Sequence, residues 1–437
     1  MRQIHRHALC LVAALALTGC LADGGDVSRF LNSDATGAPA PDTPAKAQKP
    51  GATTSPIIAA LQTRRAVLVP GSAYAQIASS VLAADARVAE AELRAAELRA
   101  KAASRNWLPT IGPRVSLTSL GDFVADLLIN QVLFDNGRKK AERDLAKAEV
   151  ELAAVALAED GNTRVFEALT LYLKAEEGRA IERQFAVAAK DMAQFEWVMN
   201  ERVKGGVSDM SDLNVLRQKL ADLRAKQSAA REATVTALAE LAAMSATPVD
   251  GISGLGKLGP MPGGIAPLAV LRAEADRDRT VAEAQIARAG HLPGLSATGT
   301  VGDSGTNYGL QVDSEQLLGL GTGAALKAIE VSRETATRRV AEAREVEERK
   351  LQSQTRQLEA LRRQAAEAEA LTRQAKANLD LFQRQYDGGQ RQVMDVVGVY
   401  ETYARSLETA LSLTYDAARA ELEIARIKGV LADGTLL

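Results

Sequence analysis

Asn106-Trp107-Leu108-Pro109 leads, through a glycine-containing segment, into Gln131-Val132-Leu133-Phe134-Asp135-Asn136-Gly137. Later, His291-Leu292-Pro293 leads through a similar segment into Glu315-Gln316-Leu317-Leu318-Gly319-Leu320-Gly321. Pro109 and Pro293, and likewise Gly137 and Gly321, are displaced by the same 184 positions, so spacing inside the unit is kept. Gly205-Gly206 and Asp212 recur as Gly388-Gly389 and Asp395, displaced by 183. A register held over about 100 residues marks an internal duplication, one supersecondary unit built twice.

Each copy has the same parts. In the first, strong helix formers run from about Gly71 to Asn106, and Pro109, Gly112 and Pro113 end them. Val115-Ser116-Leu117-Thr118 alternates apolar and polar residues, Gly121-Asp122 can turn, and Phe123 to Phe134 is mostly apolar, which predicts a β-hairpin. Asp135 or Asn136 then caps a helix that starts at Arg138 and meets no stop before Lys204-Gly205-Gly206. Gly161 inside it costs about 1 kcal/mol and marks a kink or junction. Ser208 or Asp209 caps a returning helix to about Ser245. The second copy repeats the plan: a helix from about Pro267 to Ala289, a hairpin from Leu295 to Leu318, a long helix from about Ala324 to Tyr386, and a last helix to about Leu431.

The expected fold is therefore mostly α with a small β part, long antiparallel helical hairpins joined to two short β-hairpins. The expected domains are repeat 1 over 71–247, a Pro/Gly-rich linker over 248–266, repeat 2 over 267–431, and a tail over 432–437. Ala and Leu supply most of the apolar spacing, which suits close coiled-coil packing. Hairpins this long cannot hide both faces alone, so lateral self-association is expected.

The opening residues read as a targeting segment. Arg2 and Arg6 precede a short apolar run from Ala8 to Leu17, then Thr18-Gly19-Cys20. Residues 1–19 are expected to be a signal peptide, with Leu17-Thr18-Gly19-Cys20 resembling a bacterial lipobox that leaves Cys20 lipidated. An ordinary signal peptide or an uncleaved anchor is the alternative. Residues 20–70 are expected to be a tether, since Ala22 to about Pro56 is too rich in Gly, Ala, Pro and Thr to bury a core.

Composition excludes several functions. With 53 basic against 55 acidic side chains there is no electrostatic footprint for nucleic acid. Cys10 and Cys20 both fall in or at the signal, and His291 is the one histidine outside it, so no metal site, cofactor or His- or Cys-based catalysis is expected. No Gly-rich Lys-Ser/Thr loop is present to bind nucleotide. The chain is not expected to be an enzyme.

The Leu-Pro before each hairpin, Leu133-Phe134-Asp135-Asn136-Gly137-Arg138 before the first long helix, and the Gly-x5-Asp tips together resemble the TolC-type outer-membrane exit ducts. The resemblance covers about Gly71 to Leu431. It implies a homotrimer in which each protomer gives four strands to a twelve-stranded outer-membrane β-barrel and its helices to a periplasmic α-barrel. It also implies a passive conduit for tripartite efflux or type I secretion, lying in the lipid of the outer membrane and opened by a periplasmic adaptor and an inner-membrane ABC or proton-driven transporter. Docking would use the tips, Gly205, Gly206, Val207 and Ser208 with Gly388, Gly389 and Gln390. Tyr386, Gly389, Arg391 and Asp395 match the family's entrance segment, and Asp212 matches its acidic position in the other repeat. The resemblance thus implies a gate: Arg391 pairs with Asp212 of a neighbouring coil, Tyr386 supports the pair, and Asp395 lines the pore. The alternative is that Asp212 and Asp395 merely cap helix starts.

Two departures stand out. A second acidic ring falls here on Gly398, and only about 27 residues separate Pro109 from Gly137, so strands of the roughly 9–11 residues that cross a bilayer barely fit. Phe123, Phe134 and Tyr308 are the thin expected aromatic girdle, and Asp122, Asp126 and Asp313 must face the lumen or rim. The competing reading is a structural, lipid-anchored periplasmic coiled-coil protein with no open pore.

Overall fold

The computed structural model describes residues 55–84, 88–117, 123–302, 305–316 and 319–434. Cys20, the signal segment and Asp122 lie outside the described residues. The elements run α1 (Pro56–Gln62), α2 (Ala73–Leu82), α3 (Val88–Ala103), β1 (Thr110–Leu117), β2 (Phe123–Phe134), α4 (Arg138–Lys204), α5 (Met210–Met244), α6 (Leu268–Gly290), β3 (Gly294–Gly302), β4 (Gly305–Asp313), α7 (Thr322–Asp387) and α8 (Val393–Lys428).

The two long helices, 67 and 66 residues, rise about 100 Å each at 1.5 Å per residue. Asp135, not Asn136, performs the cap of α4: its carboxylate accepts from the N–H groups of Gly137 (3.1 Å) and Lys139 (2.6 Å). Asn136 instead takes a left-handed φ of 55° and donates its amide to the Pro293 carbonyl, joining the two repeats. Gly161 does not interrupt α4; it is buried inside one continuous helix, beside Leu61 and Gly434.

α4 packs on α5, and α7 on α8, as two antiparallel hairpins. Close approach of the first pair depends on Gly178, where an added Cβ would meet the Ala230 carbonyl oxygen at 3.0 Å and crowd the Thr234 side chain. Gly178→Ala is therefore expected to cost about 1–3 kcal/mol by overpacking, despite alanine's better helix propensity. A urea titration giving wild-type stability would contradict it. Of the buried residues of α7, Val340, Glu347, Leu358, Ala368, Thr372 and Leu379 fall on the a and d positions of one heptad frame, and Ala336 flanks them at a g position. Most of the rest of α7 is exposed, including Val331 and Leu371.

Three expectations need correction. The helix expected over 71–106 is two helices, α2 ending at a 3₁₀-like turn on Ala83 and α3 beginning at Val88. The second hairpin ends at Asp313 rather than Leu318. The tether expected to reach residue 70 does not: residues from Ser55 onward belong to the body, with Ile57, Leu61, Arg64, Val67 and Leu68 all buried. The apolar residues at 57, 58 and 61 of α1 give the segment a face to bury against α4 and α6, in the cluster that holds Ala154, Val155, Leu268 and Leu271.

A belt forms around the middle of α4. Tyr74 and Tyr172 meet edge to face at 6.2 Å in a core that includes Val165, Leu169, Leu241, Tyr415 and Leu422. The inter-repeat linker is part of this belt. Tyr172 donates its hydroxyl to the Gly254 carbonyl, the buried Glu176 accepts from the Gly254 N–H, and Gly259 N–H bonds Val67. Arg64 closes the belt. Its guanidinium donates to the carbonyls of Lys428 (2.7 Å), Gly429 (3.3 Å) and Ala266 (2.5 Å), tying the amino-terminal segment, the linker and the end of α8. Burial pulls the Arg64 guanidinium down to about 10.

Candidate channel wall and periplasmic tip

The four strands form one antiparallel meander, β1-β2-β3-β4, so the two hairpins expected separately are halves of a single sheet. Strand side chains alternate between faces, and the register decides which residues share one. Ile111 pairs with Ile129, Pro113 with Leu127 and Val115 with Ala125; across the next seam Leu127 pairs with Val301, and Val301, Ala297 and Leu295 pair with Thr306, Leu310 and Val312. This face is apolar and open: Ile111, Val115, Leu310 and Val312 are each more than 60 % exposed, and Tyr308 is 89 % exposed. The other face carries Arg114 opposite Asp126, then Asn130 opposite Thr298, Thr300 opposite Asn307, Ser296 opposite Gln311, and Asp313. Asp126 and Asp313 thus both lie on the polar side.

An open apolar face of this extent is untenable in water and suited to lipid, while the polar face suits an aqueous lumen. The strands are 8, 12, 9 and 9 residues long, close to the span needed. Among the described residues, the outer edges of β1 and β4 pair with no further strand. Among the described residues no helix is long and apolar enough to cross a membrane.

Where sheet meets helices, Arg138 at the start of α4 makes a two-pronged ion pair with Glu315 after β4 (2.5 and 3.0 Å) and a second contact with Glu142. These groups line a cleft of about 370 Å³ together with Asn130, Val132, Ser296 and Asp313 of the polar face. His291 is beside it in sequence, its Nδ1 buried without a hydrogen bond. Among the described residues no group of three His, Cys, Asp or Glu side chains is arranged to hold a metal.

At the far end both tips share one backbone solution. Gly205 and Gly388 end their helices, Gly206 and Gly389 turn the chain at φ of 72° and 73°, and the next N–H reaches back to Arg202 or Gln385 (each 2.8 Å). Glycine adopts that φ without strain, which is why the second glycine of each pair recurs. The side chains then diverge. At the first tip Asp209 is the cap, accepting from Ser211 N–H, and the half-buried Asp212 carboxylate has no partner among the described residues. At the second tip Gln392 is the cap, and Asp395 completes a capping box by accepting from Gln392 N–H (3.2 Å).

Arg391 donates to Gln385 (3.2 Å) and lies 4.6 Å from the centre of the Phe382 ring. The expected Arg391–Asp212 ion pair is not formed within the protomer. The expected support from Tyr386 is also absent there: Tyr386 continues the heptad seam and packs on the tip core of Met192, Phe195, Leu213 and Val396. Asp395 is engaged as a cap, as the capping alternative held, and is exposed.

Sequence reading missed one feature near the tips. Lys219 and Lys226 on α5 pair with Glu401 and Glu408 on α8, and the buried Tyr400 donates its hydroxyl to Asp191 (2.9 Å). Burial first, and the Asp191 carboxylate second, push the Tyr400 phenol above its usual range. The matching seven-residue spacing of the two lysines and the two glutamates was the available signal.

No family model matches the chain, and no curated protein matches it. Solved structures do. A membrane protein from Pseudomonas aeruginosa is 14 % identical at a TM-score of 0.74, covering 84 % of this chain and 92 % of that one. The outer membrane protein VceC from Vibrio cholerae is 15 % identical at 0.72, covering 82 % and 96 %. The Neisseria gonorrhoeae MtrE outer membrane channel, in its open state, is 15 % identical at 0.68, covering 83 % and 90 %. At these identities the likeness establishes architecture, and it spans nearly the whole of each neighbour. The chain has the fold of the TolC-type outer-membrane channels.

Proposed function

We infer that the protein is the outer-membrane channel of a tripartite efflux or type I secretion system, a passive duct and not an enzyme. The observation that carries this is the two-faced sheet with two unpaired edges. A lone four-stranded sheet cannot lie in lipid with bare edges, whereas β4 of one copy added to β1 of the next closes a barrel and satisfies every backbone group. Three copies give twelve strands, within the range of bacterial outer-membrane barrels. The open faces of α7 and α3 then meet between copies and extend the wall into the periplasm.

The likeness to outer membrane channels supports the same location. Residues 1–19 are removed as a signal in this reading, and lipid on Cys20 adds an anchor. The tips, Gly205 to Ser208 and Gly388 to Gln390, receive a periplasmic adaptor that couples the duct to an inner-membrane ABC or proton-driven transporter. At the closed entrance, Arg391 of one coil reaches Asp212 of a neighbouring copy. Asp212 suits this role because Asp209 has already taken the capping task, leaving its carboxylate available.

Planar-bilayer conductance tests the reading. Wild-type trimers are expected to conduct weakly, and Asp212→Ala with Arg391→Ala to conduct on the order of ten times better, as a lost ion pair of about 1–2 kcal/mol would allow. Asp395→Ala is expected to change conductance less, because its carboxylate serves α8. Silence from wild type and double variant alike, despite insertion, would leave the poreless coiled-coil protein as the better account.

A further inference from the structure

A second cleft lies where α4 and α6 leave the sheet. Its volume is about 510 Å³, and Lys140, Arg288, Lys327 and Arg333 line it, with Glu330 as the sole acid. All four cations are exposed, and none has a side-chain ion pair or hydrogen bond among the described residues. That contrasts with Arg138, Lys139, Arg272 and Arg279 close by, each paired with a carboxylate. Four cations against one acid give the concavity a positive charge that suits an anion.

The side on which this cleft opens identifies the anion. A helix turns about 100° per residue, so Lys140 projects roughly opposite to Arg138 and Glu142. Those two border the cleft that shares Asn130, Val132 and Ser296 with the polar face of the sheet. The cationic cleft therefore opens on the side of the apolar face. It sits at the sheet's helical end, with Asn136 two residues past β2 and Leu292 two residues before β3.

We propose that this cleft binds the phosphate of an anionic phospholipid headgroup in the leaflet at the helical end of the apolar band. The proposal rests on the reading that the sheet lies in a membrane. The lipid's acyl chains then run along the exposed Ile111, Leu127 and Val301 surface, while its phosphate meets the cations at the boundary, the geometry by which basic pockets between helices hold anionic headgroups.

The test uses the full chain reconstituted in phosphatidylcholine vesicles with a minor fraction of phosphatidylglycerol, then extracted in detergent with its retained lipid quantified by mass spectrometry. Wild type is expected to retain phosphatidylglycerol, and the fourfold Lys140→Gln, Arg288→Gln, Lys327→Gln, Arg333→Gln variant on the order of tenfold less. Both proteins are expected to insert equally into pure phosphatidylcholine and to stay equally trimeric in lipid-free detergent. Equal retention by both overturns the proposal while leaving the channel reading intact. Displacement of the lipid by inorganic phosphate at matched concentration reassigns the site to a free anion and overturns it too. Loss of the variant's trimer in lipid-free detergent reassigns the cations to a neighbouring copy. Failure of wild type to insert into any vesicle removes the membrane reading itself, and the lipid site with it.

Discussion

Arginine in place of Leu127 is expected to cost about 2–4 kcal/mol of folding stability in a bilayer, and arginine in place of Thr300 well under 1 kcal/mol. The two positions are close neighbours: Leu127 pairs with Val301, and Thr300 pairs with Leu128. They differ in the face they occupy. Leu127 lies with Pro113 and Val301 on the apolar side, near the middle of β2, where a guanidinium meets hydrocarbon. Thr300 lies opposite Asn307 on the polar side, where the same group meets water. Urea titrations of folding into vesicles measure both costs against wild type. Equal costs at the two sites would mean that both faces see the same solvent, and the sheet would not be a membrane wall. The contrast reads the faces directly and needs no knowledge of cargo or partner.

The second large effect is expected at Arg64. Arg64→Met keeps much of the aliphatic volume but removes the donors to Lys428, Gly429 and Ala266. A carbonyl left buried without a partner costs about 1–3 kcal/mol, which applies in full at Gly429 and in part at the less buried Lys428 and Ala266, and hydrogen bonds from a charged donor contribute more than neutral ones. The Lys428 and Gly429 carbonyls also sit at the negative end of α8, which favours a cation there. Removing the cation's own burial cost offsets part of the loss, so the net expected change is about 3–5 kcal/mol destabilising. Denaturant unfolding followed by helical signal tests it, with limited proteolysis of the 248–266 segment as a second readout. A change below about 1 kcal/mol would show that the belt holds without Arg64. Arg64→Lys should recover part of the loss, since one ammonium cannot span three carbonyls in the same plane.

The long helices were legible because their signals are local. Arg138 to Lys204 and Thr322 to Asp387 contain few breakers and end at glycine pairs, the second glycine of each taking the left-handed φ of a helix stop. The alternation of β1 to β4 was legible in the same way. Much of the candidate gate was not. Asp212 and Asp395 occupy the same position of the same motif, each three residues past its cap, yet only the second is consumed by a capping box: Gln392 pairs reciprocally with Asp395, whereas the Asp209 side chain accepts from the Ser211 N–H. Tyr386 is expected at the gate, and within the protomer heptad periodicity packs it half-buried on the tip core. The belt was missed for a different reason. Segment 55–70 and the linker look unstructured by composition, and only apposition to α4 and α8 supplies the partners that order them.

By itself the sequence determined the duplication, the helical and strand periods, the glycine-turn tips and the absence of a recognisable catalytic or nucleotide-binding motif, since each is a property of neighbours along the chain. Tertiary structure decided the rest. It joined two hairpins into one sheet and thereby sorted apolar from polar faces; it set Arg64 over three carbonyls more than 150 residues away; it gathered Lys140, Arg288, Lys327 and Arg333 around one cleft. The reason is physical. Local sequence sets which backbone conformation is least costly, whereas solvent exposure, charge pairing and the satisfaction of buried polar groups depend on which distant segment arrives beside them.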